Sequence, residues 1–202
     1  MSQAQKRKQN FSAMTLEDAM KLIGRVALTP WRLTPTPVPQ SANLEEVLRR
    51  FESFDLTSSE AAKRLLIDAI FVEIAPNHPN LKVWKEVSLN TDTTIGVADF
   101  VVAPKRAYLA NPLLCVAEAK KDDFAKGRVQ CLAEMAACRW SNRQRGVEVE
   151  IYGIVSNGQA WQFFKLDHSG EIFESGLYTT EFMPVLLGAL DYLFGECAKN
   201  VP

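Results

Sequence analysis

The 202-residue sequence lacks several features that would assign a protein class directly. No apolar run reaches the roughly 18 to 20 residues that a membrane-spanning helix needs. Residues 1–10 are polar and basic, without the apolar segment of a secretion signal. The four cysteines form no CxxC pair and have no histidines at zinc-site spacing. We therefore expect a cytoplasmic protein without membrane contact, in which the thiols are reduced and mostly buried: Cys115, Cys131, Cys138 and Cys197.

The sequence also lacks a large net charge, since the formal net charge is only -1. The charges are nevertheless unevenly distributed. Residues 1–145 contain 21 Lys and Arg against 16 Asp and Glu, whereas residues 146–202 contain 2 against 8. Such a distribution allows one face of the protein to meet an anionic polymer. A solvated surface with scattered charges explains it equally well.

The first 56 residues differ in composition from the rest of the chain. Residues 1–13 are predicted to be a flexible arm, and residues 14–56 a helical extension. A capping box at residues 15–18 begins a helix that is expected to end near Leu28, and a second helix begins near Asn43. A proline-rich connector at 29–42 lies between them. Residues 57–202 are predicted to form one further domain.

That domain has the pattern of a mixed α/β fold around one sheet. A third helix continues to about Ala75 and carries Glu73 on or beside its inward face; a Glu73 that reaches water is an equal alternative. Strands are expected at 84–89, 95–103 and 113–120, then a helix at 122–140, a hairpin around Asn157-Gly158 and a last helix at 181–197. The wide apolar stripe of this last helix leaves room for a homodimer contact.

Three charged side chains stand out in the two most apolar predicted strands. Side chains alternate along a strand, so Glu118 and Lys120 project to the same side, with Cα atoms about 6.6 Å apart. If the strands pair, Asp99 stands about 5 Å from the strand that carries them. Two carboxylates at this spacing suit Mg²⁺ or Mn²⁺, and the Lys120 ammonium could orient an attacking water. Ordinary salt bridges at a strand end are the alternative.

Three segments carry a resemblance to a known family. Residues 96–102 resemble its first acidic motif, with Ala98 in place of the nominal proline, and residues 118–120 match (D/E)-x-K. Residues 152–164 look like the hairpin of the nuclease domain in type I restriction R-subunits and their stand-alone relatives. Residues 57–166 thus resemble the PD-(D/E)xK, or restriction-endonuclease-like, superfamily. Glu134 stands where many members that share Gln130 have a tyrosine, and no phosphate loop of a helicase motor is present.

The resemblance implies a restriction-endonuclease-like mixed β-sheet flanked by helices, and a particular set of site residues. Glu73, Asp99 and Glu118 would bind Mg²⁺ or Mn²⁺, Lys120 would act in catalysis together with the two strand carboxylates, and Gln130 would support them. The implied activity is metal-dependent hydrolysis of DNA, in restriction, defence or DNA repair.

A basic side on the helix after Lys120 is the candidate contact with the DNA backbone. It includes Lys121, Lys126 and Arg128. Two other functions remain open from the sequence. One is a catalytically weak or inactive module of the same fold that binds nucleic acid or a protein partner. The other is a protein–protein interaction domain in which the charged cluster forms structural ion pairs.

Overall fold

The structure is a computed structural model that describes residues 8–56, 58–120 and 123–201. These residues contain five α-helices and eight strands. The helices are α1 (Leu16–Ile23), α2 (Ala42–Phe51), α3 (Glu60–Ile74), α4 (Phe124–Arg143) and α5 (Met183–Lys199). The strands are β1 (Gln9–Asn10), β2 (Thr29–Trp31), β3 (Leu81–Asn90), β4 (Thr94–Pro104), β5 (Cys115–Ala119), β6 (Ile151–Ser156), β7 (Ala160–Leu166) and β8 (Ile172–Thr179).

All eight of these strands belong to one mixed sheet, so the predicted mixed α/β class is confirmed. The order is β1-β4-β5-β6-β7-β8-β2, and β3 pairs with β4 as well. β5 and β6 run parallel, with α4 as the connection between them, while β4 is antiparallel to both β3 and β5. The predicted hairpin is present between β6 and β7, where Gly158 has a φ of +86°.

Helices cover both faces of the sheet. Phe100 and Val102 of β4 belong to the core beneath α2, α3 and α5, whereas Val101 belongs to the core beneath α1 and α4. The central strands are therefore apolar on both faces. The apolar stripe of α5, which left room for a dimer contact, is buried against this chain's own sheet. The four cysteines are buried and form no disulfide, which confirms that prediction.

The described part of the predicted arm is built into the sheet. Gln9 and Asn10 pair with β4, and Phe11 is buried against Gly96. A Cβ atom at Gly96 would lie 2.3 Å from the Phe11 ring, so only glycine allows this approach. Residues 8–13 are thus part of the fold rather than flexible, and residues 1–7 of the predicted arm lie outside the described residues.

The helical extension packs into the same two cores. α1 ends at Ile23, earlier than expected, because Gly24 adopts a left-handed conformation and its N–H bonds to the carbonyls of the last turn. The proline-rich connector contributes β2, which pairs with β8 at the sheet edge. Farther along, the Val38 N–H donates to the Pro184 carbonyl at 2.8 Å. These contacts place the extension directly on the sheet.

Candidate active site

Strand register brings Asp99 and Glu118 to the same end of the sheet. β4 and β5 pair at Phe100 with Ala117, and one further step in this register sets Asp99 opposite Glu118. The ladder ends there, and Asp99 Oδ2 instead accepts a hydrogen bond from the Ala119 N–H at 2.9 Å. Both carboxylates are nearly buried, with 8% and 2% of each residue exposed. The structure therefore brings together the two acids that the alternation predicted.

Lys120 completes this cluster from the same strand end. Its ammonium donates to Glu118 Oε1, and its aliphatic part lies against α4 at Gly127. A Cβ atom at Gly127 would be 2.7 Å from Lys120 Cγ, so the glycine lets helix and lysine approach. Burial lowers the pKa of Lys120, but the combined attraction of Glu118, Glu60 and Asp99 outweighs burial and leaves that pKa raised. Lys120 is thus a cation at neutral pH.

Helix α3 supplies two more charged side chains from the opposite layer. Arg64 donates from Nη2 to Asp99 Oδ1. Glu60, in the first turn of α3, acts electrostatically on both Asp99 and Lys120. Arg64 does not pair with Asp68, which lies one helical turn farther along α3; Asp68 pairs with Lys85 at 2.6 Å. An exposed helical pair contributes only about 0.3–0.5 kcal/mol, less than a bond to a buried carboxylate.

Burial dominates the electrostatics of Asp99. Desolvation raises the pKa of Asp99, and the negative charge of Glu60 adds to this. The Ala119 N–H, Arg64 and Lys120 oppose the shift by favouring the charged form, but the net direction is upward. Burial therefore disfavours the charged form of Asp99, and a bound cation would reduce that penalty.

A second buried carboxyl lies behind Glu118 and was missed by the sequence analysis as a site residue. Glu134 of α4 is 0% exposed, and Gln130 Nε2 donates to its Oε1 at 3.1 Å. Burial, then repulsion from Glu118, raises the pKa of Glu134 well above its ordinary value. Burial, then repulsion from Asp99, raises the pKa of Glu118 to about 7. Gln130 therefore reaches the cluster through Glu134.

The two glutamates are in hydrogen-bonding contact with each other. If both were ionised, Glu118 Oε2 and Glu134 Oε2 would each be buried without a donor among the described residues. A proton on Glu134 resolves this, because the carboxyl then donates to Glu118. The sequence offered one clue: Glu134 follows Gln130 by one helical turn, so both face the same way.

Glu73 lies outside the cluster, which corrects its assignment as a metal ligand. Its carboxylate accepts from the Ser41 N–H at 2.7 Å and from Ser41 Oγ at 2.8 Å, at the start of α2. Glu73 is 13 residues from Glu60 along α3, about 20 Å at 1.5 Å per residue. The two ends of α3 cannot share one ion, and the acid near Asp99 is Glu60.

The predicted DNA contacts are separated in the structure. Lys126 is exposed in the first turn of α4, whose N-terminus is capped by Asp123. Arg128 instead pairs with Glu174 of β8 at 3.2 Å, so part of its hydrogen-bonding capacity is used within the protein. Lys121 lies outside the described residues.

Backbone strain marks the same end of the sheet. Glu86 has a φ of +53°, and among the described residues it is the one non-glycine residue with positive φ. On β3, Glu86 lies between Lys85, which pairs with Phe100, and Val87, which pairs with Ala98. It is therefore directly opposite Asp99 of β4. A left-handed conformation costs a non-glycine residue about 1–2 kcal/mol, and such residues concentrate at functional sites.

The donor set fits Mg²⁺ or Mn²⁺ in part. Asp99 and Glu118 offer carboxylate oxygens, and Glu118 Oε2 is buried without a hydrogen-bond donor in the described part of the chain. In that part no group of three or more His, Cys, Asp and Glu side chains is arranged to hold a metal ion. Mg²⁺ commonly uses one or two carboxylates and takes its other ligands from water and substrate phosphate, which this geometry allows.

The sequence matches no protein-family model and no curated protein. Among the described residues, no helix combines the length and the apolarity needed to cross a membrane.

Proposed function

We propose that this protein is a divalent-cation-dependent phosphodiesterase that acts on DNA, with a restriction-endonuclease-like core. The observation that carries the proposal is the convergence of Asp99, Glu118 and Lys120 at the end of two buried, paired strands. Buried charges are costly unless they are paired or bind a metal. The resemblance of residues 96–102 and 118–120 to the PD-(D/E)xK superfamily supports a role in restriction, defence or DNA repair.

Each residue of the cluster has a chemical role in this proposal. Asp99 and Glu118 would hold the cation, which when bound supplies Lewis-acid chemistry and lowers the pKa of a bound water. Lys120 would place its positive charge beside the reacting phosphate, where negative charge builds up. Glu134, held by Gln130, would fix the orientation of the Glu118 carboxylate through their hydrogen bond.

Cleavage of DNA with Mn²⁺ or Mg²⁺ tests the proposal. We expect Asp99→Asn and Lys120→Ala each to lose about 100-fold or more in rate, the usual range for a positioned catalytic group. The matched control is Lys21→Ala, because Lys21 also pairs with a glutamate, Glu17 at 2.6 Å, but on the exposed face of α1. Single-stranded, duplex and branched DNA are compared. A Lys120→Ala protein that cuts at the wild-type rate would refute the assignment.

One observation favours a second candidate, a nuclease fold without catalysis that binds DNA. Asp99 is already engaged by Arg64 and by the Ala119 N–H, as a structural carboxylate would be. Calorimetry separates the two candidates. Uptake of Mn²⁺ that Asp99→Asn abolishes supports the enzyme, whereas salt-dependent DNA binding without Mn²⁺ uptake supports the binding module.

A further inference from the structure

Arg64 uses only part of its hydrogen-bonding capacity. A guanidinium has five N–H donors. In Arg64, Nη2 donates to Asp99, Nη1 lies 3.7 Å from Glu86 Oε1, beyond hydrogen-bond range, and the buried Nε has no partner among the described residues. The side chain is 28% exposed, so solvent and ligands can reach it. An arginine with unused donors beside a candidate phosphodiesterase site is suited to bind phosphate.

The arginine and a metal ion compete for the same oxygen. Asp99 Oδ2 accepts from the backbone N–H of Ala119, whose position is fixed by the strand. Of the described residues, only Arg64 binds Oδ1, and its side chain can rotate away, so Oδ1 is the more available ligand. A guanidinium and a divalent cation on one carboxylate repel each other strongly in a partly buried setting. Binding of the cation through Oδ1 therefore requires Arg64 to move.

Glu86 gives the released guanidinium a nearby counter-charge. Its carboxylate is 73% exposed and already within ion-pair distance of Arg64. A turn of Arg64 away from Asp99 toward Glu86 thus moves the guanidinium outward without leaving it unpaired. The N–H donors that Arg64 does not use would then be free to bind a phosphate oxygen of DNA.

We infer that Arg64 is an exchangeable counter-ion of this site: it pairs with Asp99 before a divalent cation binds, and the cation releases it to contact a phosphate of DNA. The inference rests on the proposed function. It makes Arg64 a residue with two opposite effects, since it weakens cation binding and strengthens DNA binding once the cation is present.

Calorimetric titration with MnCl₂ tests the first effect. We expect Arg64→Met to bind Mn²⁺ about tenfold more tightly than wild type, because a competing positive charge has been removed. Arg25→Met is the matched control, since Arg25 has similar exposure (37%), lies within ion-pair distance of Glu171 and also has a buried Nε without a hydrogen-bond partner among the described residues. Its Mn²⁺ affinity should equal that of wild type. If Arg64→Met does not fold, Arg64→Gln replaces it with the same expectation.

The outcomes separate the inference from the proposed function. If Arg64→Met binds Mn²⁺ no more tightly than wild type, while Asp99→Asn abolishes binding, the counter-ion role is overturned and the metal site stands. If wild type and both arginine variants take up no Mn²⁺, the proposed function fails, and the inference fails with it.

Salt dependence of DNA binding tests the second effect. The background is Lys120→Ala, in which the expected loss of about 100-fold or more in rate keeps a 20-base-pair duplex largely intact during the measurement, and fluorescence anisotropy reports the affinity. With Mn²⁺, adding Arg64→Met should make the slope of log K against log salt shallower by about 0.9, the value for one lost phosphate contact. Without Mn²⁺ the slope should not change. An equal change in both conditions, or none in either, would overturn the exchange.

Discussion

Two buried polar side chains on α4, eight residues apart, have opposite surroundings. Asn142 accepts from the Leu113 N–H at 2.8 Å and from Asn111 Nδ2 at 2.8 Å, and it donates to the Leu113 carbonyl at 2.9 Å. Glu134 accepts from Gln130, but its Oε2 has no donor in the described part of the chain. Neighbouring protein groups therefore satisfy the Asn142 side chain, whereas Glu134 depends on a proton of its own to complete its hydrogen bonds.

The difference separates structural from functional polar groups. Buried polar atoms in proteins are nearly always hydrogen-bonded, so an unsatisfied one needs a reason. At Asn142 the hydrogen bonds fasten α4 to the start of β5, and nothing is left to bind a ligand. At Glu134 and Glu118 the two Oε2 atoms have, within the described residues, no donor other than a proton carried by Glu134 itself, and they lie near Asp99, at the candidate metal site.

Substitution of these two residues should give the largest contrast. Asn142→Ala leaves the N–H and carbonyl of Leu113 buried without their partner, so we expect the free energy of unfolding to fall by about 3 kcal/mol. Glu134→Gln should change it by less than about 1 kcal/mol, because the amide can donate to Glu118 in place of a proton. Urea unfolding measures both. Equal losses in the two variants would remove the distinction.

Between pH 5 and pH 8, the dependence of stability on pH should come mainly from the Glu118 region. The folded-state pKa of Glu118, about 7, is above its ordinary value of 4.5, so the folded protein binds this proton more tightly than the unfolded chain does. The stabilising contribution is complete below about pH 4.5 and is lost as pH rises through 7. The total loss is about 3 kcal/mol.

Glu118→Gln should flatten this fall in the free energy of unfolding between pH 5 and pH 8. Glu134 and Asp99, whose pKa values are also raised, leave a residual slope of the same sign. Asn142→Ala should instead lower stability equally at every pH, since an amide does not titrate. A Glu118→Gln protein with the wild-type pH profile would show that burial of the Glu118 carboxyl does not control the pH dependence of stability.

The strands of the site could be predicted because their pattern is local. Two apolar segments with period-2 alternation place Asp99 and Glu118 near the ends of neighbouring strands, and the structure pairs them in that register. The dipeptide Asn157-Gly158 likewise predicts the turn between β6 and β7 from two residues alone. In these cases the information lies within a few residues, so it does not depend on the rest of the fold.

The parts that sequence reasoning missed depend on tertiary placement. Helical spacing shows which face of α3 is inward but not which end lies beside β4, so Glu73 was chosen where Glu60 is the nearby acid. Glu134 was noted only as a departure from a family pattern, because burial between α4 and the sheet cannot be read from spacing. β2 is a short edge strand that forms by pairing with β8.

Glu73→Ala should have the smallest effect on stability among these variants. It tests a second side chain whose polar atoms, like those of Asn142, are hydrogen-bonded. The Glu73 carboxylate accepts from the N–H and the hydroxyl of Ser41. Its loss removes bonds at a partly exposed helix start, which we expect to lower the free energy of unfolding by about 1 kcal/mol. Mn²⁺ affinity should be unchanged, in contrast to Asp99→Asn. Loss of Mn²⁺ binding in Glu73→Ala would mean that this carboxylate is a ligand after all, and that α3 lies differently against the sheet.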